Sequence, residues 1–242
     1  MYTKNEKAVV SATIFYYDID YRKETAQKVL EILEEHMMFP PEKIHADRLT
    51  NNTYVCANEK VNKVFVDAYS EKDVWGIDMA SGNSKFVQEY WRVNWGLTFY
   101  KNSRIVGSCK LMPWNTLTIQ STYGRLESIH EQANYLACIK SLIMVLNPFC
   151  VTIDDVGNKI MLQDRKAITH FVPGEIQEIY WANYFDKSLL DRYSVDISSD
   201  FPAYHYEWIG NGLFFTLSES LHNYNTKDTQ ARRKQIRRYL KI

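Results

Sequence analysis

The chain has no apolar run long enough to cross a bilayer. Its longest, Leu136 to Leu146, is broken by Lys140, well short of the roughly 20 residues a membrane helix needs. Cysteine is scarce. Cys56, Cys109, Cys138 and Cys150 stand far apart and form no Cys-x-x-Cys pair, so zinc-ribbon and thioredoxin-like readings lack their spacing. Such dispersed thiols fit reduced, buried cysteines in a cytosolic protein. Nine glycines and six prolines in 242 residues exclude collagen-like or linker-like character. An excess of one charge is also missing. The 29 basic and 29 acidic residues cancel, a poor basis for general nucleic-acid binding, which runs on phosphate neutralisation. No Gly-x-Gly-x-x-Gly, phosphate-loop Gly-Lys-Ser/Thr or Gly-x-Ser-x-Gly elbow occurs. The segment after Met1 carries no apolar core with a small-residue cleavage site, so no signal peptide is expected and the reading is cytoplasmic.

What is present is a globular composition. With 45% hydrophobic and 14% aromatic residues, disorder is excluded. The length favours one domain over two, with a seam placed only near 124. Residues 8–18 are β-branched and aromatic and predict a strand. Ala26, Val29, Leu30, Leu33 and Met37 form one helical stripe over 22–37, and a short helix is predicted over 58–70. Strands are predicted over 74–79, 90–100, 105–112 and 117–122, with a hairpin turn at Lys101-Asn102-Ser103. Ser128 and Glu131 form a capping box for a helix over 129–146 that Asn147-Pro148 ends. The second half of that helix is apolar all round, which predicts a buried core helix. Residues 151–154 and 159–162 flank Val156-Gly157-Asn158 as a hairpin. Asp186 caps a short helix to Tyr193, residues 203–218 form a hairpin about Gly210-Asn211-Gly212, and a basic helix follows Thr226. Many hairpins and few helices predict an α+β fold: an antiparallel-rich sheet packed against a long buried helix and flanking helices. No internal repeat is visible.

Chemistry is sparse. His130-Glu131 opens a His-Glu-x-x-His pattern, but position 134 is Asn, and zincin chemistry needs both histidines on one helical face. Glu127 and His130 form a single Glu-x-x-His, where di-iron bundles need two. His36, His45, His170, His205 and His222 share no spacing. No metal or cofactor is expected. An enzymatic alternative remains: Asp154 or Asp155, Asp164 and Lys166 at strand ends form the acid, acid-x-Lys pattern with which a metal-dependent nuclease holds Mg²⁺ and a water. Residues 227–242 hold seven basic groups and one acid, giving a tail of +6 and a body of −6. The expected role is a solvated basic face, with a nucleic-acid-binding adaptor as a further alternative.

Aromatics cluster at Phe15-Tyr16-Tyr17, Tyr90-Trp91, Tyr180-Trp181 with Tyr184-Phe185, and Tyr204 to Trp208. Leu146-Asn147-Pro148-Phe149 after a long helix, then Glu178-Ile179-Tyr180-Trp181-Ala182-Asn183-Tyr184-Phe185, the Leu189-Leu190 helix and the Tyr204–Leu217 hairpin resemble bacterial immunity proteins. These guard against polymorphic and type VI secreted toxins, and the pattern is most similar to immunity protein family 52 over about 140–220. The resemblance implies a non-enzymatic inhibitor of α+β fold that binds a cognate toxin in the cytoplasm. For this family the toxin is commonly a nuclease of restriction-endonuclease fold. The implied family motif is Tyr180, Trp181, Asn183, Tyr184 and Phe185. An acidic body facing a nuclease's basic cleft suggests mimicry of nucleic acid. The candidate toxin-binding acids are Asp154, Asp155, Glu175, Glu178, Asp196 and Asp200. No membrane and no direct nucleic-acid contact are expected.

Overall fold

Alternating apolar residues recur through the computed structural model as the inner faces of strands. It describes residues 9–17, 20–37, 41–48, 53–55, 58–81, 95–101, 115–122, 125–155, 175–176, 178–193, 197 and 200–242. In chain order these form β1 (Val9–Tyr16), α1 (Lys23–His36), β2 (Lys43–Arg48), β3 (Thr53–Val55), α2 (Asn58–Ser70), β4 (Val74–Ser81), β5 (Trp95–Tyr100), β6 (Asn115–Thr122), α3 (Ile129–Leu146) and β7 (Cys150–Asp155). There follow β8 (Ala182–Asp186), α4 (Lys187–Arg192), β9 (His205–Ile209), β10 (Gly212–Thr216), a 3₁₀ turn (Leu221–Asn223) and α5 (Lys227–Leu240).

The ten strands make one sheet in the order β3-β2-β4-β5-β6-β1-β7-β8-β10-β9. Every neighbouring pair is antiparallel. The α+β expectation therefore holds. β1 is the hinge of the topology. It pairs with β6 on one side and β7 on the other, so one sheet holds strands from before and after residue 124.

One face is covered by α1, α2 and α3. Val10, Ala12 and Ile14 of β1, Ile77 and Met79 of β4, Leu97 and Phe99 of β5, and Val151 and Ile153 of β7 point into this core. The helix α1 buries the predicted stripe of Ala26, Val29, Leu30 and Leu33. The capping box of α3 forms as expected, with Glu131 N–H donating to Ser128 Oγ at 3.1 Å. Its C-terminus closes on Asn147 at φ 45°, the left-handed conformation Asn tolerates. The all-round apolar reading of α3 needs one correction, because Met144 is 62% exposed. The helix covers the sheet and leaves Met144, like Ile129 in its first turn, in water.

Strands β7, β8 and β10 are buried on both faces. Phe149, Cys150, Phe185, Leu213 and Phe215 turn away from α3 into a second core under α4 and α5, closed by Leu189, Leu190, Ile236 and Leu240. This explains why Gly212–Thr216 reads as a continuous buried run rather than an alternation. The turn Gly210-Asn211 joins β9 to β10, with Gly210 at φ 57° as such two-residue loops require. Gly212 is needed for another reason: a Cβ there would lie 2.5 Å from the Tyr184 ring.

Both edges of β5 are taken by β4 and β6; the expected 105–112 strand and the Asn102-Ser103 corner lie outside the described residues. Both edges of Cys150–Ile153 are taken by β1 and β8. Residues 159–162 also lie outside the described residues. Strands β2 and β3 had no counterpart in the sequence expectations.

Candidate functional site

The predicted acids divide sharply by environment. Asp154 is 0% exposed. Its Oδ1 accepts the Asp155 N–H at 2.8 Å and its Oδ2 accepts the Trp181 N–H at 3.0 Å. The Arg233 guanidinium of α5 lies 3.8 Å away and donates through Nε to Ile179 O at 2.8 Å. Asp155 is buried as well. Neither presents a carboxylate to a partner, which corrects their assignment as toxin-binding acids. The physical cause is position: β7 lies deep in the sheet, and its polar side chains satisfy backbone donors that burial has stripped of water. Glu178 is ion-paired with Arg237 and accepts the Ile179 N–H. Glu175 and Asp200 are exposed, and Asp196 lies outside the described residues. The six acids therefore do not form one surface patch among the described residues.

The aromatic motif is core. Tyr180, Trp181, Asn183, Tyr184 and Phe185 are all buried. The Asn183 side chain bridges the Tyr180 backbone, accepting from its N–H and donating to its carbonyl at 2.9 Å each. The indole N–H of Trp181 reaches Ser218 O at 3.3 Å. The basic helix α5 is also tied into the body. Arg233 and Arg237 meet Asp154 and Glu178, and Arg232 donates to Leu217 O at 2.7 Å. Lys227, Lys234, Arg238 and Lys241 stay exposed; spacings of seven and four keep the first three on one helical face, and Lys241 follows at the helix end, at φ 59°.

For the nuclease alternative, Asp154 is already engaged, and Asp164 and Lys166 lie outside the described residues. Asn134 breaks the His-Glu-x-x-His spacing and has its own task, donating to the His36 carbonyl to join α3 to α1. His222 Nε2 lies 3.1 Å from Leu126 O. His170 lies outside the described residues.

Three features collect chemistry outside the predicted acids. The first is the edge strand β9, where Trp208 (53%) is exposed, as is Tyr204 (51%) just before it. On its other face Glu207 pairs with Lys140 of α3 at 2.5 Å and sits 3.4 Å from His205. Burial pushes the Glu207 carboxyl up, but the Lys140 and His205 contacts outweigh it and hold the group below its ordinary range. The second is a cavity of about 480 Å³ lined by Tyr16, Tyr17, Asp20, Tyr69, Asn147 and Phe149. Burial pushes the Tyr16 and Tyr69 phenols well up, so this wall is neutral. The Asp20 carboxylate at its rim is held by Arg22 and Thr25.

The third is a cluster on the sheet face opposite α1–α3. His45 and Asp47 project from β2, and Asp78 is the direct cross-strand partner of His45 on β4. One imidazole nitrogen and one oxygen from each carboxylate lie within 4.8 Å of one another. Asp78 Oδ1 accepts from Thr98 Oγ1 at 2.7 Å. Burial pushes the Asp78 carboxyl up, the Thr98 hydrogen bond offsets part of this, and Asp47 adds to the rise. The sequence did carry a signal: in Lys43-Ile44-His45-Ala46-Asp47, polar and apolar residues alternate as in a half-buried strand.

No family model matches this chain, and no curated protein matches it. Among solved structures, a Pseudomonas aeruginosa T6SS protein is similar in fold, with a TM-score of 0.63 at 11% sequence identity, over 97% of this chain and 72% of that one. At that identity the likeness speaks for the fold.

Proposed function

We propose that this chain is an immunity protein of a type VI secretion setting, which binds and neutralises a cognate secreted toxin by protein–protein contact in the cytoplasm. The toxin class that the family-52 resemblance suggests is a nuclease of restriction-endonuclease fold. The observation that carries the reading is likeness of fold over nearly the whole chain to a T6SS protein, alongside the motif resemblance at 146–217. The reading assigns no catalysis. The exposed aromatics Tyr204 and Trp208 support a contact surface at β9, since Tyr and Trp supply large contact area with a tolerable wet end. Nucleic-acid mimicry by the six acids loses support, because Asp154 and Asp155 are buried and Glu178 is paired.

The test is survival. The toxin domain encoded beside this gene is induced in a heterologous bacterial host with and without this chain. Rescue by this chain alone is expected; death despite soluble expression of both proteins overturns the pairing. A second reading has its own observation in the exposed Lys227, Lys234, Arg238 and Lys241 stripe. A nucleic-acid adaptor acting through α5 would lose binding when these four are neutralised, with a steep salt dependence.

A further inference from the structure

We propose that His45, Asp47 and Asp78 form a binding site for one divalent transition-metal ion of the zinc type, clipping β2 to β4. The three donors come from adjacent strands, in a register fixed by backbone pairing: His45 faces Asp78, and Asp47 faces Gly76. His45 Nε2 and Asp47 Oδ1 are 3.4 Å apart. Two ligands each about 2.1 Å from a tetrahedral zinc ion are separated by about 3.4 Å, so this edge of the polyhedron is already at its working length. The third donor is within 4.8 Å, and a side-chain shift of at most about 1.4 Å at Asp78 closes the set.

Two further observations belong to a built site. Gly76 leaves room for the Asp47 carboxylate to lie over β4; a Cβ there would meet Asp47 Oδ2 at 3.2 Å. Thr98 on β5 holds Asp78 at 2.7 Å, the kind of outer hydrogen bond that orients a ligating carboxylate. Two carboxylates share this small volume, and among the described residues no lysine or arginine pairs with either of them. A dication supplies the missing charge. The His45 side chain is 32% exposed, which gives an ion a route in and leaves a position for water. One imidazole with two carboxylates favours zinc, manganese or iron over calcium or magnesium. This site is independent of the toxin-binding proposal.

The test uses the full chain, free of any polyhistidine tag and stripped with chelator. Zn²⁺ is titrated by calorimetry, and Co²⁺ by its visible d–d absorption. The expected result is one equivalent bound with a dissociation constant of about 10 μM or tighter, unaffected by millimolar Mg²⁺. D78N is expected to weaken binding at least about 30-fold, and T98V, which removes only the outer hydrogen bond, about 10-fold. Melting curves of the stripped variants check that each is folded; if D78N is not, T98V carries the test. Binding that is absent below about 100 μM, displaced by Mg²⁺, or unchanged in the folded variants overturns the proposal.

Discussion

Replacing Asp154 by Asn keeps the side chain's shape and removes its charge, and the structure sets the cost. Both carboxylate oxygens accept backbone N–H groups, from Asp155 and Trp181. An amide has one oxygen and one NH₂, so either orientation places a donor against a donor in a site with no exposure. The substitution also strands the Arg233 guanidinium, buried and 3.8 Å away. Breaking a buried charge pair on one side costs about 3–5 kcal/mol. The lower end applies here, because the ions stand beyond hydrogen-bond distance. At roughly 2–4 °C per kcal/mol for a chain of this size, D154N is expected to lower Tm by about 6–12 °C. Arg233→Met is expected to cost a similar amount, since it leaves Asp154 charged in the core and deprives Ile179 O of its donor. In the double variant both charges go together, so its loss should fall short of the sum by at least about 1 kcal/mol. Urea and thermal unfolding of the four proteins measure the cycle. If D154N melted within about 1 °C of the parent yet lost toxin binding, Asp154 would be a partner-facing acid and the argument would be refuted.

Ser128→Ala removes the hydroxyl that accepts from Glu131 N–H and should cost about 1 kcal/mol in unfolding experiments. Gly212→Ala drives a Cβ to 2.5 Å from the Tyr184 ring and 2.6 Å from Phe185 O; a loss of about 2–3 kcal/mol is expected by the same measurement. Burial pushes the Cys138 thiol and, over a smaller area, the Tyr184 phenol up to about 12 each. The folded state therefore binds more protons than the unfolded chain above about pH 9, and their contribution, full below that pH, is lost as pH rises toward 12. A stability profile from pH 7 to 11 should decline on its alkaline side, less steeply in Tyr184→Phe; a flat profile would contradict this.

The sequence announced whichever elements carry their own local signal. The stripe of α1, the capping box at Ser128 and Glu131, the Asp186 cap and the Gly210-Asn211 turn are each written in residues close together, and each forms. The order of strands is not local. β1 occupies the centre of the sheet because it pairs with segments over a hundred residues away, and nothing in residues 8–18 names those partners. The same non-locality hid the site. Asp154 and Asp155 look like strand-end acids beside a Gly-Asn turn, yet the sheet buries them. His45 and Asp78 look unrelated at a separation of 33 residues, yet strand register makes them opposite neighbours.

The charge pattern shows the same effect and fixes what a partner meets. The −6 body and +6 tail suggested an acidic surface able to steer toward a basic cleft. The fold uses part of that charge internally, through Asp154 with Arg233 and Glu178 with Arg237. The acids remaining near α5 are fewer, and its exposed stripe is basic. Steering by opposite charge then has little to act on at β9, where the exposed groups are the aromatic Tyr204 and Trp208 with His205 between them and Glu207 is already paired with Lys140. Toxin affinity should accordingly depend on area rather than charge. Trp208→Ala is expected to weaken binding about 30-fold or more, the scale of an aromatic hot spot, without moving Tm by more than about 2 °C. The association rate should change less than about threefold between 50 and 300 mM salt, where a steered encounter falls far more steeply. A steep salt dependence with Trp208→Ala binding as the parent does would return the interface to the charged surface and away from β9.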